Sequence, residues 1–254
     1  MRVRFEVGLV TTAALLLLVY LGVRGPGSSA AGASRPRLPA AALPVSQVFL
    51  RDCATCHGSD ARGTDLAPDL RGVGKALIDY ELSTGRMPLP TSDPKQPPER
   101  GTPRYDAATR HALVEYVAAL AGGHGPTIPM VDPTRGDLAE GGTLFRLNCA
   151  ACHSWAGEGG ALVDRAAPST HAANATQIAE AVRSGPGNMP AFGEAVFTPR
   201  QLDSLVRYVL QLDHPDDRGG NPLWHLGPLA EGAVAVLVGL GVLLLAARWI
   251  GTRT

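Results

Sequence analysis

The chain has 254 residues, room for two small domains rather than one large one. Basic and acidic side chains balance at 23 each, which excludes a whole-chain basic footprint for nucleic acid. Aromatics make up only 5% against 30 Gly and 21 Pro, so much of the chain is turn and loop.

Taken from the N-terminus, residues 1–39 carry five Arg and one Glu, and Val7–Val23 is a 17-residue run without a charge behind Arg2 and Arg4. This pattern predicts that residues 1–33 are a signal peptide or a signal-anchor helix, with Ala31-Gly32-Ala33 a small-residue cleavage site. The positive flank stays in the cytoplasm, so the chain that follows is exported.

Residues 40–122 (net −1) and 133–213 then read as two copies of one module, the stretch 123–226 being net −4. Val48–His57 aligns with Leu144–His153 at an offset of 96, each ending in C-x-x-C-H. Ser83-Thr84-Gly85-Arg86-Met87-Pro88 matches the Arg183–Pro190 stretch, and Ala112–Val117 matches Ser204–Val209. Each copy is expected to run apolar helix, C-x-x-C-H, irregular loop, Met-Pro, amphipathic helix. In the last of these, Leu113, Val114, Val117 and Leu120, and Leu202, Leu205, Val206, Val209 and Leu210, recur at helical spacing. Without any alternating strand pattern, the fold class is all-α with long loops. Residues 91–104, Pro-rich and charged, form a surface insertion, and 121–132 form a short linker stiffened by proline.

At the C-terminus residues 229–250 predict a transmembrane helix of about 33 Å, matching a hydrocarbon core of about 30 Å. Trp224 and Trp249 fall near the two interfaces, and Arg248 and Arg253 mark the cytoplasmic end. The C-terminus is therefore cytoplasmic and the two modules lie on the extracytoplasmic side of the plasma membrane.

All four Cys belong to the two C-x-x-C-H motifs, the signature of covalent c-type haem attachment. Cys53 and Cys56, and Cys149 and Cys152, would bond the porphyrin vinyl groups, while His57 and His153 ligate iron from the proximal side. A zinc site would need the cysteine pairs some 15–20 residues apart, and a thioredoxin-like motif would need a βαβ context. For the opposite side of each iron the candidates are Met87, 30 residues after His57, and Met189, 36 after His153, each followed by Pro. A thioether there raises the potential and closes the iron to small ligands, which suits electron transfer. His171 is the rival ligand for the second iron. Met130 sits in the linker, and His111, His124, His214 and His225 lack counterparts in the other copy and read as surface residues.

The chain resembles cytochromes c in Phe49 and Phe145 before the first Cys of each motif, in the Met-Pro dipeptides, and in Tyr116 and Tyr208 of the closing helices. The resemblance implies that the Pro68 carbonyl accepts the proximal His57 N–H. More narrowly, residues 45–254 resemble the dihaem cytochrome c subunit of actinobacterial quinol–cytochrome c reductase. Ser83–Pro88, Gly141–His153, Gly159-Gly160-Ala161-Leu162 and the tail from Gly227 to Gly251 carry that likeness. Two departures stand in the second copy: Ala166–Thr170 replaces a Pro-Asp-Leu pattern, and Ser154 stands where Gly58 does in the first. The resemblance implies the electron-transfer subunit of a proton-translocating oxidoreductase, with two haem c groups and no substrate chemistry of its own. Its implied partners are a cytochrome b subunit, a Rieske iron–sulfur subunit and a cytochrome c oxidase. The alternatives are a stand-alone membrane-anchored dihaem carrier, a dehydrogenase's cytochrome subunit, or a dihaem peroxidase, which needs an open iron.

Overall fold

The computed structural model describes residues 43–89, 99–162, 165–216 and 232–252. The expected leader at 1–33, the start of the C-terminal span, Trp224, His225, Arg253 and most of the 91–104 insertion lie outside these residues.

The first module opens with α1 (Val45–Asp52), which turns Val48 and Phe49 inward, and breaks at Cys53 into the single turn α2 (Ala54–His57). After an irregular loop come α3 (Lys75–Ser83) and α4 (Ala107–Leu120); Asp106 caps α4 by accepting from the Thr109 amide at 2.8 Å. Phe49, Leu113, Val114 and Val117 form the core, with Ile78 and Leu82 of α3. In the second module α5 (Leu138–Asn148) and α6 (Ala150–His153) repeat the broken pair, followed by α7 (Ala175–Ser184) and α8 (Pro199–Asp213). Asn174 and Gln177 close a capping box on α7, and Thr198 and Gln201 do so on α8. Phe145, Leu202, Leu205, Val206 and Val209 make its core. In both modules the same aromatic pair joins first and last helix: Phe49–Tyr116 ring centroids are 5.6 Å apart and Phe145–Tyr208 5.5 Å. The helices cross especially closely in the second module, where a Cβ on Gly141 would stand 2.0 Å from the Ser204 carbonyl oxygen.

Two expectations are corrected. The molecule is not strictly all-α, because β1 (Gly160–Leu162) and β2 (Arg165–Ala167) pair as a small antiparallel hairpin with Gly160 opposite Ala167. Nor is the stretch before each Met-Pro wholly irregular, since it contains α3 and α7.

Those two helices, equivalent in the repeat, pack against each other and join the modules. Gln177 Nε2 on α7 donates to the Ser83 carbonyl and hydroxyl, both at 3.2 Å, and Arg100 donates to Gln177 Oε1 at 2.9 Å. The linker is fastened at both ends. The Pro126 carbonyl accepts from the Ala76 amide at 3.1 Å, and the Asp132 amide donates to the buried Asp203 carboxylate at 2.8 Å.

The C-terminal helix runs Gly232–Gly251, with mean hydropathy 2.3 and none of its span buried. A π-helical stretch, Ala235–Gly239, leads into α9 (Leu240–Gly251). It is long and apolar enough to cross a membrane, and its full exposure separates it from the core helix of a soluble domain.

Candidate functional site

Each C-x-x-C-H straddles a helix break. Cys53 and Cys149 sit at the junctions α1/α2 and α5/α6, and the one-turn helices behind them place His57 and His153 at their ends. Burial, then the neighbouring Asp52 charge, pushes the Cys53 thiol up to about 12, and burial raises Cys149 to about 11. Thiols held this high are poor thiolates, the opposite of an exchange-active C-x-x-C pair. Cys53 packs against the first core and Cys149 against the second, so the two pairs do not gather into one four-sulfur site.

The imidazoles are oriented alike. His57 Nδ1 lies 3.0 Å from the Pro68 carbonyl oxygen, and His153 Nδ1 lies 2.8 Å from that of Pro168. With Nδ1–H donating to a carbonyl, the tautomer is fixed and Nε2 becomes the ligating nitrogen. The altered 166–170 segment of the second copy therefore delivers the same carbonyl as the first. It does so from the end of β2, the hairpin taking the place of the isolated bridge Thr64–Ala67 in the first module.

What admits these prolines is a glycine six residues beyond each histidine. Gly63 (φ 79°) and Gly159 (φ 91°) cross directly under the proline segments: a Cβ would come within 2.7 Å of the Pro68 carbonyl carbon and 2.9 Å of that of Pro168. Left-handed backbone and close approach both require glycine there. Comparing the copies at offset 96 is enough to find this pair.

Met87 packs against the same apolar cluster as Cys53, and Met189 against the same cluster as Cys149, so each thioether shares an interior with the thiol of its own module. Met130, in contrast, is 97% exposed. The Glu81 carbonyl accepts from the amides of Arg86 and Met87, each at 3.0 Å, and the Arg86 guanidinium lies over the Tyr80 ring at 4.9 Å. The second module holds its methionine loop differently. Arg183, buried on α7, donates to the carbonyls of Phe192 at 3.0 Å and Phe197 at 2.8 Å. Both arginines lie inside the Met-Pro repeat, but nothing in the sequence marked these roles. His171 engages the Ala156 carbonyl through Nε2 at 2.9 Å and faces Glu158 and Asp213 through Nδ1, in the loop after the second motif. Of the unmatched histidines, His111, His124 and His214 are exposed.

A thiol and a thioether against one apolar interior, with a second thiol and a tautomer-fixed imidazole on the adjoining turn, suit a covalently held haem. Residues 42–121 match the family described as "Cytochrome c", and residues 136–209 that described as "Cytochrome C oxidase, cbb3-type, subunit III". A protein of Corynebacterium diphtheriae named cytochrome bc1 complex cytochrome c subunit is 33% identical across 96% of this chain and 95% of its own length. The chain belongs to the cytochrome c subunits of the cytochrome bc1 complex. A Mycobacterium tuberculosis protein of the same name is 35% identical across 94% of this chain and 90% of its own. A cytochrome c6 of Gloeothece citriformis, 36% identical, matches only 30% of the chain, the size of a single module. As a family member the protein is an electron-transfer subunit with cytochrome c domains, which implies covalently bound haem c.

Proposed function

We propose that the chain is a membrane-anchored dihaem cytochrome that carries electrons from the Rieske iron–sulfur subunit of a quinol–cytochrome c reductase through two haems to a cytochrome c oxidase. The observation that carries this reading is the twofold recurrence of one donor arrangement, His57 on Pro68 and His153 on Pro168. Cys53 and Cys56 would attach the first haem, with His57 and Met87 as the residues that would hold its iron; Cys149 and Cys152 would attach the second, with His153 and Met189. Bound haem supplies reversible one-electron exchange at iron. The protein's part is to fix the imidazole tautomers, to present thioethers that favour the ferrous state, and to hold both sites in one packed body. The hydrogen bond from His171 to the Ala156 carbonyl supports Met189 rather than His171 as the ligand.

The C-terminal helix would anchor both modules on the extracytoplasmic face of the plasma membrane with the C-terminus in the cytoplasm. A cytochrome b subunit and the Rieske protein are then its neighbours, and tethering replaces the encounter of a diffusing carrier by a high local concentration.

Affinity purification of the full chain in mild detergent tests the assignment. Cytochrome b, the Rieske protein and oxidase subunits are expected together. A chain isolated without cytochrome b would instead be a stand-alone carrier or a dehydrogenase subunit. Mass analysis should show two haem additions, and Cys53→Ala with Cys56→Ala should leave one; retention of both would overturn the attachment sites.

A further inference from the structure

Where the two haem domains meet, two carboxyl groups face each other. Glu180 on α7 is completely buried, and neither of its carboxyl oxygens receives a hydrogen bond from an N–H or O–H among the described residues. Its side-chain neighbour across the interface is Asp79 on α3, which is itself paired with Arg110 of α4 (Nε to Oδ1, 3.3 Å). An ionised carboxylate buried without a donor is strongly disfavoured, whereas a carboxylic acid brings its own O–H. Asp79, ion-paired with Arg110, is the acceptor that faces Glu180.

We infer that Glu180 and Asp79 share a single proton across the interface, and that this proton helps dock the two haem domains. It resides on Glu180 and is donated to the Asp79 carboxylate, so the contact reads Glu180–H to Asp79 to Arg110.

The surroundings agree. Burial first, then the Asp79 charge, pushes Glu180 up to about 9, with Arg110 pulling weakly the other way. Tyr80 on α3 also lies in the field of Glu180, its own hydroxyl kept protonated by burial. Arg100 is spent on Gln177, one turn earlier on α7, and Arg183 on the same helix is turned to the Phe192 and Phe197 carbonyls. On α8, which packs against the other side of α7, Asp203 is held by Arg135 and the Asp132 amide. Ser204 is held by Glu140 and the Asp137 amide.

The sign of the pH dependence follows. In separated domains Glu180 has its ordinary value near 4.5, against about 9 when docked, so separation releases a proton between those values. Docking is therefore strongest below the lower value and weakens as pH rises toward the upper one, by at most about tenfold per pH unit. Above the upper value no further loss occurs.

The test uses the full chain with both haems in detergent, its haem spectrum recorded throughout so that loss of a haem is seen separately from loss of docking. Infrared spectra should show a protonated carboxyl that is half lost at about pH 9 and missing in Glu180→Gln. It is separate from that of Glu81 on α3, which burial raises to about 7 and which is lost at lower pH in both proteins. Hydrogen exchange should report faster opening of α3 and α7 in the wild type with rising pH, after correction for intrinsic exchange. In Glu180→Gln, whose amide donates to Asp79 at every pH, opening should no longer change above about pH 8, where Glu81 of α3, raised by burial to about 7, is already ionised. Asp79→Asn leaves Glu180 buried and able to donate to the new amide oxygen, so its carboxyl band should persist at neutral pH but shift in frequency as the acceptor changes from carboxylate to amide. A high-pH band that Glu180→Gln leaves in place, or wild-type and Glu180→Gln interfaces that open with one profile above about pH 8, overturns the inference. If Glu180→Gln loses haem, the band in Asp79→Asn decides: a frequency unchanged from the wild type is fatal to the shared proton.

Discussion

Ser154 follows His153, the last residue of the second C-x-x-C-H motif, in a backbone conformation that favours glycine. Its φ of 63° and ψ of 168° lie close to the 77° and 154° of Gly58, the matching residue in the first module. A side chain in this region costs on the order of 1–3 kcal/mol, and the hydroxyl returns part of it by accepting from the Glu158 amide at 3.2 Å. Ser154→Gly should therefore stabilise the second domain by about 1 kcal/mol, read as a rise in denaturation midpoint with an unchanged haem spectrum. The neighbouring position behaves oppositely: Gly159 cannot take a Cβ without pushing away the Pro168 segment that orients His153. At this scale the sequence speaks plainly about the donor atoms and only faintly about what orients them. Cys, His and Met are rare and stand at matched offsets, whereas the supporting Gly63 and Gly159 are two among 30 glycines.

The closing helices α4 and α8 were readable because each buries one stripe: Leu113, Val114 and Val117, and Leu202, Leu205, Val206 and Val209. The middle helices were not. In α3 the buried residues are Ala76, Ile78, Tyr80 and Leu82, an alternation that mimics a strand, because the helix is covered by its own core on one side and by α7 on another. In α7 even Gln177, Glu180 and Arg183 are buried, so polar side chains occupy positions that an amphipathic pattern assigns to solvent. The capping-box spacing of Asn174 and Gln177 was the available signal for α7. Arg183 also sets an expectation at this level. It joins α7 to the loop from Met189 to Phe197 by donating to two carbonyls, and the rings of Phe192 and Phe197 stack at 5.1 Å beside it. Arg183→Met keeps the apolar stem but leaves both carbonyls without that donor, at a cost of about 2–4 kcal/mol. The weak red-region absorption of methionine-ligated ferric haem should fade for the second haem alone. If it fades for neither haem, Arg183 does not position Met189.

For the whole molecule, the decisive property is that the modules are fastened to each other while the membrane helix shares none of their core. The α3–α7 contact and the linker pinned at Pro126 and Asp132 hold the two C-x-x-C-H modules in fixed relation, as the proposed two-link wire requires. The order of the links is an expectation from resemblance: the first haem receives from the Rieske protein and the second delivers to the oxidase. The charge of the chain is compatible with that order, residues 123–226 being net −4 against −1 for 40–122, and charge of this size sets encounter rate more than partner identity. Exchanging a thioether for an imidazole lowers an iron's potential, so each methionine is a handle on one link. In the assembled complex, Met189→His should leave quinol-driven reduction of the first haem intact and block onward flow to the oxidase. Met87→His makes the first link an uphill step and should slow reduction of both haems. Stopped-flow spectra of the two variants distinguish the arrangements directly: loss of first-haem reduction in Met189→His, with the complex still assembled, would mean that electrons enter at the second haem.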